Sequence, residues 1–304
     1  MIRLAVTGAT GRMGRCVLEL AVRDERFELA AALAAPGCAM NGTTLRVGDR
    51  EVRIVERLER ECDVLIDFSL PEGTAAWLDV CERREIPMVI GVTGHDDKQR
   101  ARIREAAHRI PIVRAANFSV GVNAILSVLP QLARALGEGY DVEIVETHHR
   151  HKADAPSGTA LAIVEELLRN ADPSRERQRP GHQNRERERA DNLPPSQEET
   201  QGGSHVASPL VGGDALIFGR HGRTGERPAG QIGVHSVRMG DVVGQHEIHF
   251  SGYGETITIR HTAHSRETFA AGALRAAAWI VAQRPGLYSM RDVLSADEQC
   301  ENRE

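Results

Sequence analysis

Three glycines spaced three residues apart, in IRLAVTGATGRMGRCVLELAV (residues 2–22), constrain this chain most. An apolar run through Leu4, Ala5 and Val6 enters Gly8, Gly11 and Gly14. Cys16, Val17, Leu18 and Leu20 then begin an apolar helical face, so the segment reads strand, glycine turn, helix. The pattern recurs. FELAAAL, CDVLIDFS, IPMVIGVTG and IPIVRAANFS are further strands, the second of them ended by Pro71-Glu72, which suits a helix's first turn. A charged helix is expected from Asp96 to His108. Strands alternating with helices predict a parallel, doubly wound α/β sheet. Such a sheet binds ligands at the carboxyl ends of its strands. The loops there are Gly8–Gly14, Asp67–Glu72, Gly91–Gly94 and Ala115–Ser119.

After about residue 120 the pattern changes. A helix over Val122–Leu136 leads to the strand DVEIVET, then ETHHRHKADAPSGTAL, then a helix from Ser157 to Arg169. QIGVHSVRMGDVVGQHEIHFSG and ETITIRHTA alternate at period two between glycine turns, which predicts a mixed, largely antiparallel sheet in a second α+β domain. The boundaries expected are 1–120 and 121–264. Residues at about 173–213 carry many charges, prolines and glycines, and read as an exposed, flexible insertion.

A length of 304 residues suits about two domains. The 41% hydrophobic and 27% charged residues are those of a soluble globular chain. A net charge of −5 argues against a nucleic-acid partner. The five cysteines form no CxxC pair, which favours a reducing cytoplasm over a disulfide framework or zinc ribbon. MIRLAVTG lacks the apolar core of a signal peptide. No apolar run reaches the ~20 residues of a membrane helix, since Arg275 breaks AAGALRAAAWIVA. Nearly every cation is arginine. Only Lys98 and Lys152 are lysine, the cation that can release a proton if its pKa falls.

The glycine turn can bring backbone N–H groups and a helix N-terminus against a pyrophosphate. Its spacing, Gly8-x-x-Gly11-x-x-Gly14, departs from the commoner G-x-G-x-x-G by Ala9. The acid that usually meets the ribose at the end of the second strand falls at Ala34-Ala35, where there is neither an acid nor an arginine. Arg12 could reach a phosphate. NADH and NADPH both stay open.

In the histidine cluster, His148, His151 and Asp154 could bind zinc. Arg150 and Lys152 between them disfavour a metal, and no metal is expected. An anionic substrate accounts better for the mixture. Ser157 can cap the following helix, leaving the N–H groups of Gly158 and Thr159 as a second anion site. His148 and Lys152 form a titratable pair able to donate a proton. A solvated loop with incidental histidines is the bland alternative.

VTGATGRMG, IDFSLPEGT, GVTG, AANFSVGVN, ETHHRHKADAPSGTAL, GRTGERPAGQIGVHSVRMGDVVGQHEIHF and MRDVL together resemble the 4-hydroxy-tetrahydrodipicolinate reductase family of diaminopimelate and lysine synthesis. The resemblance spans nearly the whole chain outside the insertion. It implies a Rossmann domain completed by C-terminal helices in 265–304, and a second domain that assembles homotetramers. It implies hydride transfer from NADPH or NADH to C4 of a cyclic dicarboxylate as the 4-hydroxyl leaves as water. His148 and Lys152 would then be proton donors, and His149, Gly158 and Thr159 would bind a substrate carboxylate. Gly8, Ala9, Thr10, Gly11, Arg12, Met13, Gly91, Val92, Thr93, Ala115, Ala116, Asn117 and Phe118 would line the cofactor. The chain departs from the family at Ala34-Ala35, where an acid and a base are frequent, and at Leu70, where a polar residue is. Two rivals remain. One is another two-domain dehydrogenase, which has no evident need of HHRHK. The other is a nucleotide-binding sensor whose insertion recruits a partner.

Overall fold

The computed structural model describes residues 1–171 and 216–301, so the insertion lies outside the described residues. The chain opens with β1 (Ile2–Thr7), α1 (Arg12–Ala21), β2 (Phe27–Leu33), β3 (Thr44–Val47), β4 (Arg50–Val55), β5 (Val64–Asp67) and α2 (Pro71–Arg84). It continues through β6 (Met88–Ile90), α3 (Asp97–Ala106), β7 (Pro111–Arg114), α4 (Val120–Leu136), β8 (Asp141–His148) and α5 (Gly158–Ala171). Next come β9 (Leu216–Ile217), β10 (Ile232–Arg238), β11 (Gly244–Gly252) and β12 (Glu255–Ala263). It closes with α6 (Glu267–Ile280), β13 (Gly286–Tyr288) and α7 (Met290–Glu301).

The first sheet has the order β13-β7-β6-β5-β1-β2-β4-β3. Its pairings are parallel except β3 with β4. From β1 the chain winds outward through β2 and β4. It then returns to the other side of β1 and winds out through β5, β6, β7 and β13. The crevice between β1 and β5 is therefore the switch point where a ligand sits. Leu4, Ala5 and Val6 are all completely buried, because both faces of the sheet are covered. Leu4 and Val6 pack with Val17, Leu18, Leu274 and Ile280 of α1 and α6. Ala5 faces the other way, into Leu65, Leu78, Ile103 and Ile112 beside α2 and α3.

The strands β3, β4, β9 and β13 were not expected. The β3–β4 hairpin is short and alternates apolar residues with arginines; of its apolar side chains Val47 and Ile54 are buried, and Gly48 turns it at φ +58°. The three-residue β13 adds an edge beyond β7. Helix starts move slightly. α4 begins at Val120, with Ser119 Oγ accepting from the Val122 N–H at 3.3 Å. α3 begins at Asp97 behind an Asp96–Gln99 capping box.

The second sheet, β12-β11-β8-β10-β9, is mixed as expected. β11 runs antiparallel to both β12 and β8, whereas β8–β10 and β10–β9 are parallel. The sequence suggested β10 and β11 as consecutive antiparallel strands. β8 instead lies between them, because α5 intervenes between β8 and β10 and the return is parallel. α4 and α5 cover one face through Leu129, Ile144, Ile163, Val164, Val234, Ile248 and Phe250. Among the described residues no helix is long and apolar enough to cross a membrane.

Candidate active site

The crevice at β1 is shaped by backbone contact. Gly8 has φ +68°, and a Cβ there would stand 2.6 Å from the carbonyl carbon of Phe68 and overlap its oxygen. A Cβ on Gly14 would come within 2.6 Å of the Gly8 carbonyl carbon, so α1 can approach the turn this closely only with glycine present. Gly11, the N-cap of α1, offers no side-chain cap, which leaves the first-turn N–H groups of Arg12, Met13 and Gly14 for a ligand. That cradle suits a pyrophosphate. Ala9, where the commoner fingerprint has glycine, is completely buried and donates its N–H to Leu33 O at 3.0 Å.

The neighbouring loops close around this turn. Gly91 leaves room for the Phe68 ring, 2.7 Å from where its Cβ would stand at Cζ, and Phe68 meets Phe118 edge-on with centroids 6.0 Å apart. Asp67, fully buried, accepts from the hydroxyls of Thr7 (2.5 Å) and Thr74 (2.7 Å) and from the Ser69 N–H (2.9 Å). Val92 belongs to the α2–α3 core, so its backbone alone is at hand for a cofactor. Ala34 is buried with its N–H bonded to Val55 O, while Ala35 and Leu70 are exposed.

The histidine loop leaves the end of β8. Ile144, Glu146 and His148 alternate onto the face of the second sheet covered by α5. His148 Nδ1 lies 2.5 Å from Glu146 Oε2. Arg238 on β10 grips both Glu146 oxygens, at 2.9 and 2.8 Å. Burial alone would raise Glu146, but hydrogen bonds from His148 and Arg238 outweigh it and hold the carboxyl at about 2. His246, opposite Glu146 on β11, stands edge-on to His148 with centroids 5.2 Å apart. Burial, followed by the charge of His148, pushes His246 down to about 3. Gly244 makes room for His148, since a Cβ there would sit 3.1 Å from Nε2.

Lys152 does not stand among cations only. Its Nζ pairs with both carboxylate oxygens of Asp154, at 2.7 and 2.8 Å. Ser157 precedes α5 as expected: its Oγ accepts from the Ala160 N–H and shares a hydrogen bond with His246 Nε2. Gly158 is exposed, with open space where a Cβ would be. Thr159 is buried, and its Oγ1 accepts from Asn117 Nδ2 at 2.8 Å. That bond ties the loop after β7 to the first turn of α5. Burial, then the charges of Arg12 and Arg266, lower His149.

Glu146, Arg238 and His246 were missed as site partners, and Asp154, weighed only as a zinc ligand, is instead the partner of Lys152. For Glu146 a signal existed: in DVEIVETH it shares the period-two face of Ile144, which is the buried one. Arg238 reaches the site through a strand pairing that the sequence does not display.

A doubly wound sheet whose switch point opens onto a cationic loop of a second sheet defines a two-lobed nicotinamide-nucleotide oxidoreductase. The fold is shared with aspartate semialdehyde dehydrogenase II of Vibrio cholerae, complexed with ASA (TM-score 0.51, 12% identity, 98% of this chain and 99% of that one). The family model for the N-terminus of dihydrodipicolinate reductase matches residues 2–118, and that for its C-terminus matches residues 121–294. The chain belongs to the dihydrodipicolinate reductase family. It is 41% identical over 303 residues to the 4-hydroxy-tetrahydrodipicolinate reductase of Myxococcus xanthus, covering 97% of this chain and 98% of the relative. The Thiobacillus denitrificans enzyme of the same name is 39% identical over 299 residues, covering 96% and 98%. A dipicolinate-bound dihydrodipicolinate reductase from Paenisporosarcina sp. TG-14 superposes with a TM-score of 0.64 at 25% identity, covering 95% and 97%.

Proposed function

We propose that the chain reduces 4-hydroxy-tetrahydrodipicolinate to tetrahydrodipicolinate, in diaminopimelate and lysine biosynthesis, using NADPH or NADH. One hydride and one proton are consumed and one water leaves. The observation that carries the reading is the Asn117–Thr159 hydrogen bond, which joins a nucleotide loop to a carboxylate-binding helix start. Residues 1–120 with 265–304 form the nucleotide domain, and 121–264 the substrate domain. The bound nicotinamide supplies the hydride. Gly8 to Met13 hold the pyrophosphate by backbone N–H groups, with Gly91 to Thr93 and Ala115 to Phe118 along the rest of the nucleotide. His149 and the N–H groups of Gly158 and Thr159 hold one substrate carboxylate. Lys152 meets the substrate when a carboxylate competes with Asp154 for its ammonium. His148 and Lys152 are the proton donors. The chain acts as a cytoplasmic homotetramer, a reading that rests on its family resemblance.

The test is a coupled assay. The unstable substrate is generated in place from pyruvate and aspartate semialdehyde by the preceding synthase, and oxidation of NADPH and of NADH is followed separately. Turnover with either nucleotide is expected, and the ratio of the two kcat/KM values gives the preference. Nucleotide binding without turnover would leave the sensor reading instead.

A further inference from the structure

Among the described residues two carboxylates are completely buried, Asp67 and Glu146. Asp67 meets hydroxyl and backbone donors. Glu146 meets donors from His148, Arg238 and Ser157, with the Ser236 hydroxyl also bearing on it from the paired strand. Its Oε2 takes His148 Nδ1 and one arm of Arg238. Its Oε1 takes the other arm of Arg238 and the N–H of Ser157, at 3.2 Å. The same arm of Arg238 also donates to the backbone oxygen of Asp154, at 2.6 Å. Both ends of the loop from His148 to Ser157 are thereby tied to one side chain, directly at the ends and through Arg238 in between.

We propose that Glu146 is the positioning residue of this active site: it fixes the His148 proton on Nδ1 and holds His148 in register with the carboxylate-binding start of α5. This rests on the reading of His148 as a proton donor. The chemistry follows from the donor count. Glu146 already accepts from a guanidinium fork and a backbone N–H, so it is a carboxylate with acceptors only, and the hydrogen between it and His148 resides on Nδ1. With Nδ1 committed to Glu146, Nε2, which no described residue engages by a hydrogen bond, is the nitrogen left to donate to substrate. On donation the Nε2–H bond breaks, its electron pair stays on nitrogen and the proton passes to the substrate. The ring remains the Nδ1–H tautomer, still donating to Glu146, and takes a new proton at Nε2 from water after product leaves. His246 stands edge-on to His148 with its Nε2 paired to Ser157 Oγ, and Arg238 is a donor turned to Glu146, so Glu146 Oε2 is the acceptor that Nδ1 meets.

Glu146→Gln reverses the pattern. The amide oxygen is best kept where Ser157 N–H and Arg238 donate, which puts the amide NH2 opposite Nδ1. The ring must then accept at Nδ1 and carry its proton on Nε2 when neutral. The experiment is nitrogen-15 NMR of histidine-labelled full-length protein, with His148 assigned by the peak lost in His148→Gln. The wild-type ring is expected to be protonated on Nδ1, and Glu146→Gln to move the neutral ring's proton to Nε2. Its kcat is expected to fall by about 100-fold to 10⁴-fold, the range that loss of a positioned proton donor covers, with nucleotide Kd unchanged within about twofold. A wild-type His148 unprotonated at Nδ1 overturns the proposal without any variant. A Glu146→Gln enzyme with wild-type kcat overturns it too. Glu146→Asp keeps the charge on a shorter stem, and is expected to recover Nδ1 protonation and part of the lost kcat; recovery no better than that of Gln overturns the tautomer argument. Failure of the underlying activity reads out separately: wild-type protein without turnover, or His148→Gln at full rate, removes the donor role, while the NMR result still decides where Glu146 places the proton.

Discussion

Gly272 lies in α6, far in sequence from both ligand loops, yet Gly272→Ala should cripple the enzyme. The new Cβ would stand 2.8 Å from the carbonyl carbon of Phe118 and overlap its oxygen. Carbon atoms in ordinary contact sit about 3.5–4.0 Å apart, so the Phe118 carbonyl must retreat by roughly 1 Å. The displaced backbone belongs to the loop whose Asn117 holds Thr159. A misplacement of roughly 1 Å can cost about 100-fold in rate, and a fall of that order in kcat/KM is the expectation. Stability should change far less. Overpacking costs ~1–3 kcal/mol, while alanine in place of helical glycine returns ~1 kcal/mol. Steady-state kinetics with calorimetric Tm separates the two effects. Gly139→Ala is the control, because nothing lies within 4 Å of its Cβ position. A Gly272→Ala enzyme with kcat/KM within about twofold of wild type would refute the reasoning that α6 sets the loop.

His148→Gln should lower kcat by ~100-fold or more with KM little changed, as steady-state assays on the coupled system would register. Lys152→Arg keeps the charge but should still lose at least ~10-fold in kcat/KM, and full activity would remove any role for lysine's releasable proton. Gly244→Ala should tilt the His148 ring, which sits 3.1 Å from the new Cβ at Nε2, lowering kcat while nucleotide Kd stays fixed. Acid stability should depend on His246, whose folded value is about 3 against an ordinary 6.5. Between those values the unfolded chain takes up a proton that the folded protein refuses, so stability is full above about pH 6.5 and falls as pH drops toward 3. Tm of His246→Gln should therefore fall less steeply from pH 7 to 5 than that of wild type, and equal slopes would dismiss His246 as a contributor.

Much of the first sheet was readable because its strands are buried on both faces and so appear as unbroken apolar runs, such as the one through Leu65 and Ile66. The glycine turn was readable because Gly8 and Gly14 answer a steric demand that no other residue meets. The β3–β4 hairpin escaped because its partly exposed strands place arginines between Val47, Val52 and Ile54, which weakens the alternation. The histidine loop stood out through its composition, but composition hid the pairing: the cations were evident, whereas the bond of Lys152 to Asp154 is a matter of side-chain direction. Glu146 and Arg238 lie 92 residues apart in sequence and meet only because β10 runs parallel beside β8. That register depends on α5 and the crossover, and no local pattern encodes it.

The Asn117–Thr159 bond has a thermodynamic corollary. If the loop after β7 holds nucleotide and the first turn of α5 a dicarboxylate, as proposed, fixing either should through this bond also fix the other. Such coupling is reciprocal: the factor by which a nucleotide tightens a dicarboxylate equals the factor by which the dicarboxylate tightens the nucleotide. A non-reacting cyclic dicarboxylate should therefore sharpen nucleotide affinity, and Asn117→Ala should bring both factors toward one together.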